Sequence, residues 1–215
     1  MEMLKSLVAA GAALALLTAP TLGADSASAS EKVVATFAAV NGSGCPAGTV
    51  AVVAYPDNTG IILSYSSFYV QRGGDSAAAQ GYQNCNLDIR MSVPAGFTFA
   101  VSRAVYHGYA FVLPGATAKL VAKYNFQGQA PTVSSHLINT VSPFDDNWTI
   151  IEEFPFANLQ WAPCGADIIL TDAFELRVQP YGPSSSPTDV SFVTANKSDH
   201  SIRTELNFVW AECHG

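Results

Sequence analysis

Alternation of apolar and polar residues with a period of two is the feature that most constrains this chain. In the segment NLDIRMSV, Leu87, Ile89 and Met91 share one face, whereas Asp88 and Arg90 share the other. The same alternation recurs in ATAKLVAKYNF, FELRVQ and SIRTELNFVW. Successive side chains of a β-strand leave opposite faces of the sheet, so each segment predicts a strand with one buried and one solvated face.

Turn signals rich in glycine, proline, aspartate and asparagine separate these segments at strand-length spacing, for example PDNTG at residues 56–60. Strands with one apolar face must bury it against a second sheet. The predicted fold is therefore all-β, a two-sheet antiparallel β-sandwich, with jelly-roll and immunoglobulin-like connectivities both open. Residues 128–147 break the alternation, and we expect them to form a long irregular surface segment.

The first 29 residues have the pattern of a signal peptide. Lys5 precedes the apolar run SLVAAGAALALLTAP, and Ala27-Ser28-Ala29 offers a small-x-small cleavage site, with Ala24 as a competing one. The run is shorter than the roughly 20 apolar residues that span a bilayer, so no membrane attachment is expected after cleavage. The pattern predicts a secreted, extracellular protein with one domain over residues 30–215.

The charge balance argues against two classes of partner. Ten Lys and Arg residues face 17 Asp and Glu residues, which gives a formal net charge of −7. Proteins that bind nucleic acids or anionic membranes carry basic patches, and no run of basic residues occurs here. We therefore expect neither nucleic acid nor a membrane surface as a partner.

The four cysteines, Cys45, Cys85, Cys164 and Cys213, predict two disulfides, since pairing is the default outcome in an oxidising compartment. Four cysteines allow three connectivities, and spacing alone does not choose among them. We expect sequential pairing, in which each bridge closes a long loop and contributes about 4 kcal/mol in the chain-entropy model. Single, scattered cysteines do not have zinc-ligand spacing, so no metal and no cofactor are expected.

Six ordered motifs run from residue 41 to residue 165: NGSGCPAGTV, YQNCNLDI, VPAGFTFAV, YHGYAFV, YNFQG and WAPCG. With them the chain resembles the secreted proteins of domain-of-unknown-function family 4360, from about Asn41 to the C-terminus. The resemblance implies a secreted bacterial or fungal all-β domain with cysteines in the GCP, NC and PCG blocks. It transfers no catalytic residue. Ala162 stands where the resemblance leads us to expect a serine before PCG, so any chemistry of that serine is absent here.

Carboxylates at residues 145–153 are the candidates for catalysis or metal binding. Two carboxylates several ångströms apart can hydrolyse a glycoside, and the run Asp-Asp-Asn at 145–147 offers the oxygen ligands that calcium takes. Asp and Asn also favour turns on their own account, so a solvated loop is the simplest interpretation. Glu152 and Glu153 are adjacent and point apart in a strand, which makes them a poor acid–base pair.

Aromatic rings on a sandwich face can stack on sugars or anchor a protein partner, although most aromatic residues belong to cores. The candidate ligand-binding residues are Trp148, Asp145, Asp146, Tyr106 and Tyr109. Acidic and amide neighbours surround Trp148, and we expect its ring to be exposed.

The four histidines lack the spacings HxH and HExxH, and no GxSxG elbow is present. The leading prediction is a non-catalytic binding module at the cell wall or in the extracellular space, with a polysaccharide or an extracellular protein as partner. One alternative is a secreted hydrolase that uses the carboxylates near residues 145–153. Another is a secreted inhibitor that inserts the loop 183–187 into an enzyme.

Overall fold

The computed structural model describes residues 33–76, 78–141, 143–180, 189–194 and 202–213. These residues form two antiparallel β-sheets and no α-helix, which confirms the predicted sandwich. Twelve strands make up the sheets: β1 (Ala35–Asn41), β2 (Val50–Ala54), β3 (Gly60–Tyr65), β4 (Val70–Arg72), β5 (Tyr82–Met91), β6 (Phe97–Val112), β7 (Ala116–Phe126), β8 (Thr132–Leu137), β9 (Phe144–Glu153), β10 (Ile168–Pro180), β11 (Ser191–Thr194) and β12 (Ile202–Glu212).

One sheet has five strands in the order β1-β5-β10-β7-β8. The other has seven strands. Six follow the order β2-β3-β12-β6-β11-β4, and β9 pairs with the edge of β6 that faces away from β12 and β11. Short 3-10 helices follow β4, at Ala78–Gly81, and β9, at Phe156–Asn158. None of the helical segments in the described part of the chain is long and apolar enough to cross a membrane.

The core lies between the sheets and uses the faces that the alternation predicts. Leu87, Ile89 and Met91 of β5 are completely buried, and so are Leu206 of β12 and Phe126 of β7. Their burial against the opposite sheet is the main source of stability, since each large apolar side chain contributes about 1.5–3 kcal/mol when it leaves water.

The disulfides join Cys45 to Cys85 and Cys164 to Cys213, with Cα–Cα distances of 5.5 and 6.1 Å. Sequential pairing is therefore confirmed, and Cys164 is a structural cysteine. The first bridge ties the connection between β1 and β2 to β5. The second ties the segment before β10 to the residue that follows β12, so it links strands of different sheets.

The prediction of an irregular surface segment at residues 128–147 is wrong. The edge strand β8 and the first part of β9 lie within it, β8 pairing with β7 and β9 with β6. The alternation in β8 is inverted, because its polar residues Thr132, Ser134 and His136 are half-buried, whereas Val133 and Leu137 are exposed. The predicted signal peptide and the loop 183–187 lie outside the described residues.

Candidate functional site

Polar side chains from both sheets meet inside the sandwich. Asp172 of β10 is 2% exposed and accepts a hydrogen bond from the Tyr65 hydroxyl at 3.4 Å. Glu152 of β9 is 8% exposed and accepts one from the Tyr106 hydroxyl at 3.3 Å. A second hydrogen bond joins Glu152 Oε1 to His136 Nε2 of β8. We call these five residues the inner polar cluster.

Strand register explains how the inner polar cluster forms. Glu152 lies opposite Ala104 of β6, whose small side chain leaves room for the carboxylate between the sheets. Tyr106, two residues further along β6, points to the same inner face. His136 reaches Glu152 from the edge strand of the other sheet, so the pair bridges the two sheets at their open edge.

Burial controls the ionisation of this cluster. It raises the pKa of Asp172 to about 7; the hydrogen bond from Tyr65 opposes the shift, and the charge of Glu152 adds to it. Burial also raises the pKa of Tyr65 and of Tyr106 well above the usual range, and the nearby Asp172 adds to both shifts. Both hydroxyls therefore stay protonated and available as donors.

The inner polar cluster is poorly placed to act on a substrate. Asp172 and Glu152 are buried, and the cluster reaches solvent mainly through His136, whose side chain is 31% exposed. The carboxylates are held by tyrosine and histidine side chains. Their arrangement suits a buried hydrogen-bonded network between two sheets, in which each polar group has a partner.

The prediction of an exposed Trp148 is wrong. Its side chain is 4% exposed and packs inside the sandwich against Gly108, the residue opposite it on β6. A Cβ atom at Gly108 would lie 2.5 Å from Cζ2 of the indole, so only glycine leaves room for the ring. The polar residues next to Trp148 in sequence do not indicate its exposure, because adjacent residues of a strand face opposite sides of the sheet.

The other predicted ligand-binding residues are divided between two faces. Tyr106 is buried in the inner polar cluster, whereas Tyr109, three residues later, points to the outer face of the sheet, where its neighbours leave it 8% exposed. The Tyr109 hydroxyl donates a hydrogen bond of 2.5 Å to Asp145, which brings these two predicted residues together. Asp146 is exposed, and its carboxylate accepts a hydrogen bond of 2.7 Å from the backbone N–H of Asn147.

A cluster of aromatic rings lies on the outer face of the seven-stranded sheet. The Phe192 ring of β11 is at its centre, with centroids 5.9 Å from Tyr69, 6.0 Å from Tyr109 and 5.7 Å from Phe111. Tyr69, just before β4, is 43% exposed. We call these four residues the outer aromatic strip.

A polar cavity of about 460 Å³ opens beside the outer aromatic strip, at the edge of β4. We call it the amide cavity, and its lining residues are Tyr69, Gln71, Asp75, Ser76, Gln80 and Gln83. The Tyr69 hydroxyl donates a hydrogen bond of 2.5 Å to Gln71 Oε1, which fixes the ring at the cavity mouth. The Oε1 atom of Gln83 is buried and has no hydrogen-bond partner within the described part of the chain.

Sequence reasoning singled out Tyr106, Glu152 and Tyr109 and did not show which residues they contact. The amide cavity has one signal in the sequence, the concentration of glutamines in the segment QRGGDSAAAQGYQ at 71–83. No spacing in the sequence groups the members of the inner polar cluster, because they come from five different strands.

The family model described as "Domain of unknown function (DUF4360)" matches residues 31–213. This chain belongs to the DUF4360 family. The resemblance that the six sequence motifs indicate is thereby confirmed. The DUF4360 description assigns no activity, so the family supplies no catalytic or binding residue for the sites described above.

One relative is an uncharacterized secreted protein from Arthroderma benhamiae, 27% identical over 194 residues that cover 90% of this chain and 77% of the relative. Among solved structures, TmCBM61 in complex with β-1,4-galactotriose superposes with a TM-score of 0.33 and 11% identity, covering 82% of this chain and 90% of that one. The family 11 carbohydrate-binding module from Clostridium thermocellum superposes with a TM-score of 0.24 and 14% identity, covering 82% and 87%. TM-scores this low support no function for this DUF4360 protein.

Proposed function

We propose that this protein is a secreted, non-catalytic binding module that holds an extracellular ligand at the amide cavity. The observation that carries the proposal is the exposed Tyr69 ring beside a cavity of about 460 Å³ whose lining is rich in amides. Ligand sites in proteins have volumes of about 300–1,000 Å³ and combine apolar surface with a few directed polar groups.

The amide side chains of the lining support a ligand at this place, because three of its six residues are glutamines. The amide groups of Gln71 and Gln80 can both donate and accept. The lining therefore suits a ligand that carries hydroxyl or amide groups.

Two observations support an extracellular location. Both disulfides belong to a class of cross-link that persists in oxidising compartments, and the relative from Arthroderma benhamiae is a secreted protein. A cell-wall polymer is the partner that we propose at this location.

The positions of the carboxylates favour binding over hydrolysis. A glycosidase needs two carboxyl groups on either side of an accessible bond. Glu152 and Asp172 are buried among hydrogen-bond partners, whereas Glu153 points outward and pairs with Arg103 at 2.8 Å. Asp145 is held by Tyr109 on the outer face, away from the buried pair.

Retention of the oxidised, folded protein on cell walls and insoluble polysaccharides tests this proposal, with Gln83→Leu as the cavity variant. We expect the wild type to be retained, the variant to be retained less, and no sugar to be released from the polymer. Phe156→Ala is the matched control, because Phe156 is 71% exposed and lies outside the cavity lining. Sugar release that disappears in Glu152→Gln would overturn the proposal in favour of the hydrolase.

A further inference from the structure

We infer that the ligand is an uncharged polysaccharide chain that starts in the amide cavity and runs across the outer aromatic strip toward Asp145. This inference rests on the proposed function and adds the chemical class of the ligand and its path. The inference depends on the outer aromatic strip, whereas the proposed function depends on the amide cavity alone.

The cavity and the strip form one continuous surface because they share Tyr69. Strand register extends this surface across the sheet. Gln71 pairs with Phe192, Phe192 pairs with Phe111, and Phe111 pairs with Asp145, so one row of residues crosses β4, β11, β6 and β9. Three spacings of about 4.8 Å between strands make the row roughly 14 Å long, which accommodates a chain of sugar rings better than a monosaccharide.

The row faces outward along its whole length. Val70 and Val193, the neighbours of Gln71 and Phe192, are completely buried in the core, and neighbouring strand residues point to opposite faces. The same alternation on β6 buries Ala110 and turns Phe111 outward.

The rings are arranged as a platform. The planes of Tyr69 and Phe111 are each inclined by 33° to the plane of Phe192, so these three rings form the platform. The Tyr109 ring is inclined by 59° to Phe192 and lies beside the platform. Aromatic faces offer a rigid, weakly polar surface at low entropic cost, which suits the apolar C–H faces of sugar rings. Polar groups stand at both ends of the row, Gln71 at one end and Asp145 at the other. The amide NH₂ group of Gln71 is a donor for the hydroxyl groups of a glycan.

Charge selects a neutral polymer. The cavity lining contains one carboxylate, Asp75, and none of its residues is basic. Asp145 stands at the far end of the row, and the formal net charge of the protein is −7. An anionic polymer would meet a carboxylate at each end, Asp75 in the cavity and Asp145 at the far end of the row, which disfavours its binding.

Affinity measurements by calorimetry against soluble polysaccharides test the inference. The neutral probes are a glucan, a galactan and a mannan, and the anionic probe is polygalacturonate. We expect at least one neutral polymer to bind and polygalacturonate not to bind. Longer oligosaccharides of the bound polymer should bind more tightly until they fill the row.

Variants locate the site. Tyr69→Ala should weaken binding of the neutral polymer about tenfold or more, as the loss of a central aromatic contact does in other interfaces. Tyr69→Phe keeps the ring and should retain most of the affinity. Phe192→Leu reports on the centre of the strip, and the melting temperature of each variant shows that it is folded. Phe156→Ala should bind as the wild type does.

The outcomes separate the two proposals. If a neutral polymer binds and Tyr69→Ala binds it equally well, the path across the strip is wrong while a binding module remains. If polygalacturonate binds best, the assignment of a neutral ligand is wrong. If the wild type binds none of the polymers and no wall preparation, the proposed function fails, and the inference fails with it.

Discussion

The inner polar cluster and the outer aromatic strip each contain two tyrosines and differ in what surrounds them. Both place tyrosine hydroxyls next to carboxylates, Tyr65 beside Asp172 inside and Tyr109 beside Asp145 outside. Inside, the carboxylates are enclosed and hydrogen-bonded to residues of both sheets. Outside, the Tyr69 ring is 43% exposed and adjoins a cavity lined by three glutamines. The same chemistry therefore supports the fold in one place and offers a binding surface in the other.

Trp148→Ala should give the largest effect and separate core from surface. The indole fills the interior against Gly108, so its removal should cost about 3–5 kcal/mol of unfolding free energy. Chemical denaturation measures this loss. A cost below about 0.5 kcal/mol, typical of exposed positions, would contradict the buried placement.

The pH dependence of stability should be set in large part by the inner polar cluster. The pKa of Asp172 is about 7 in the folded protein, above its ordinary value of 3.8, so between these values the folded state binds more protons than the unfolded state. The stabilisation is complete below pH 3.8 and is lost as the pH rises through 7, which amounts to about 4 kcal/mol.

Asp172→Asn tests this contribution, because an amide cannot lose a proton. Denaturation of both proteins between pH 4 and pH 9 should give a flatter profile for the variant, with the largest relative gain above pH 7. The groups facing Asp172 are Tyr65, Tyr106 and Glu152, and they remain in both proteins. Parallel profiles for wild type and variant would assign the pH dependence to other groups.

Removal of a single hydroxyl from each region should give the smallest effects and the sharpest comparison. Tyr106→Phe takes a donor from buried Glu152 and should cost about 1.5–3 kcal/mol of unfolding free energy. Tyr69→Phe removes a bond to Gln71 at the surface and should change stability by less than about 0.5 kcal/mol. Thermal and chemical denaturation measure both effects. Equal losses of unfolding free energy in the two variants would contradict the difference in burial between the two regions.

Much of the fold was predictable because strand periodicity is local. The alternation around Leu87, Ile89 and Met91 correctly identified a core face, and the four cysteines were correctly expected to form two disulfides. Prediction failed at β8 and β9, where polar residues that enter the interior, such as His136 and Glu152, obscure the pattern. Alternation along a strand shows that the strand has two different faces. It does not show which polar residues become buried against the opposite sheet.

The sites depended on contacts between distant segments. Spacing along one strand could have shown that Tyr106 and Tyr109 face opposite sides, since they are three residues apart. No spacing could show that Tyr69 joins Phe192, or that Glu152 meets His136 across the sheets. The sequence by itself determined the class of fold, the cysteine framework and the acidic character, because these follow from residue type and local period. Only the tertiary structure decided which tyrosines and carboxylates are enclosed and which face solvent, because burial is a property of the packed sheets.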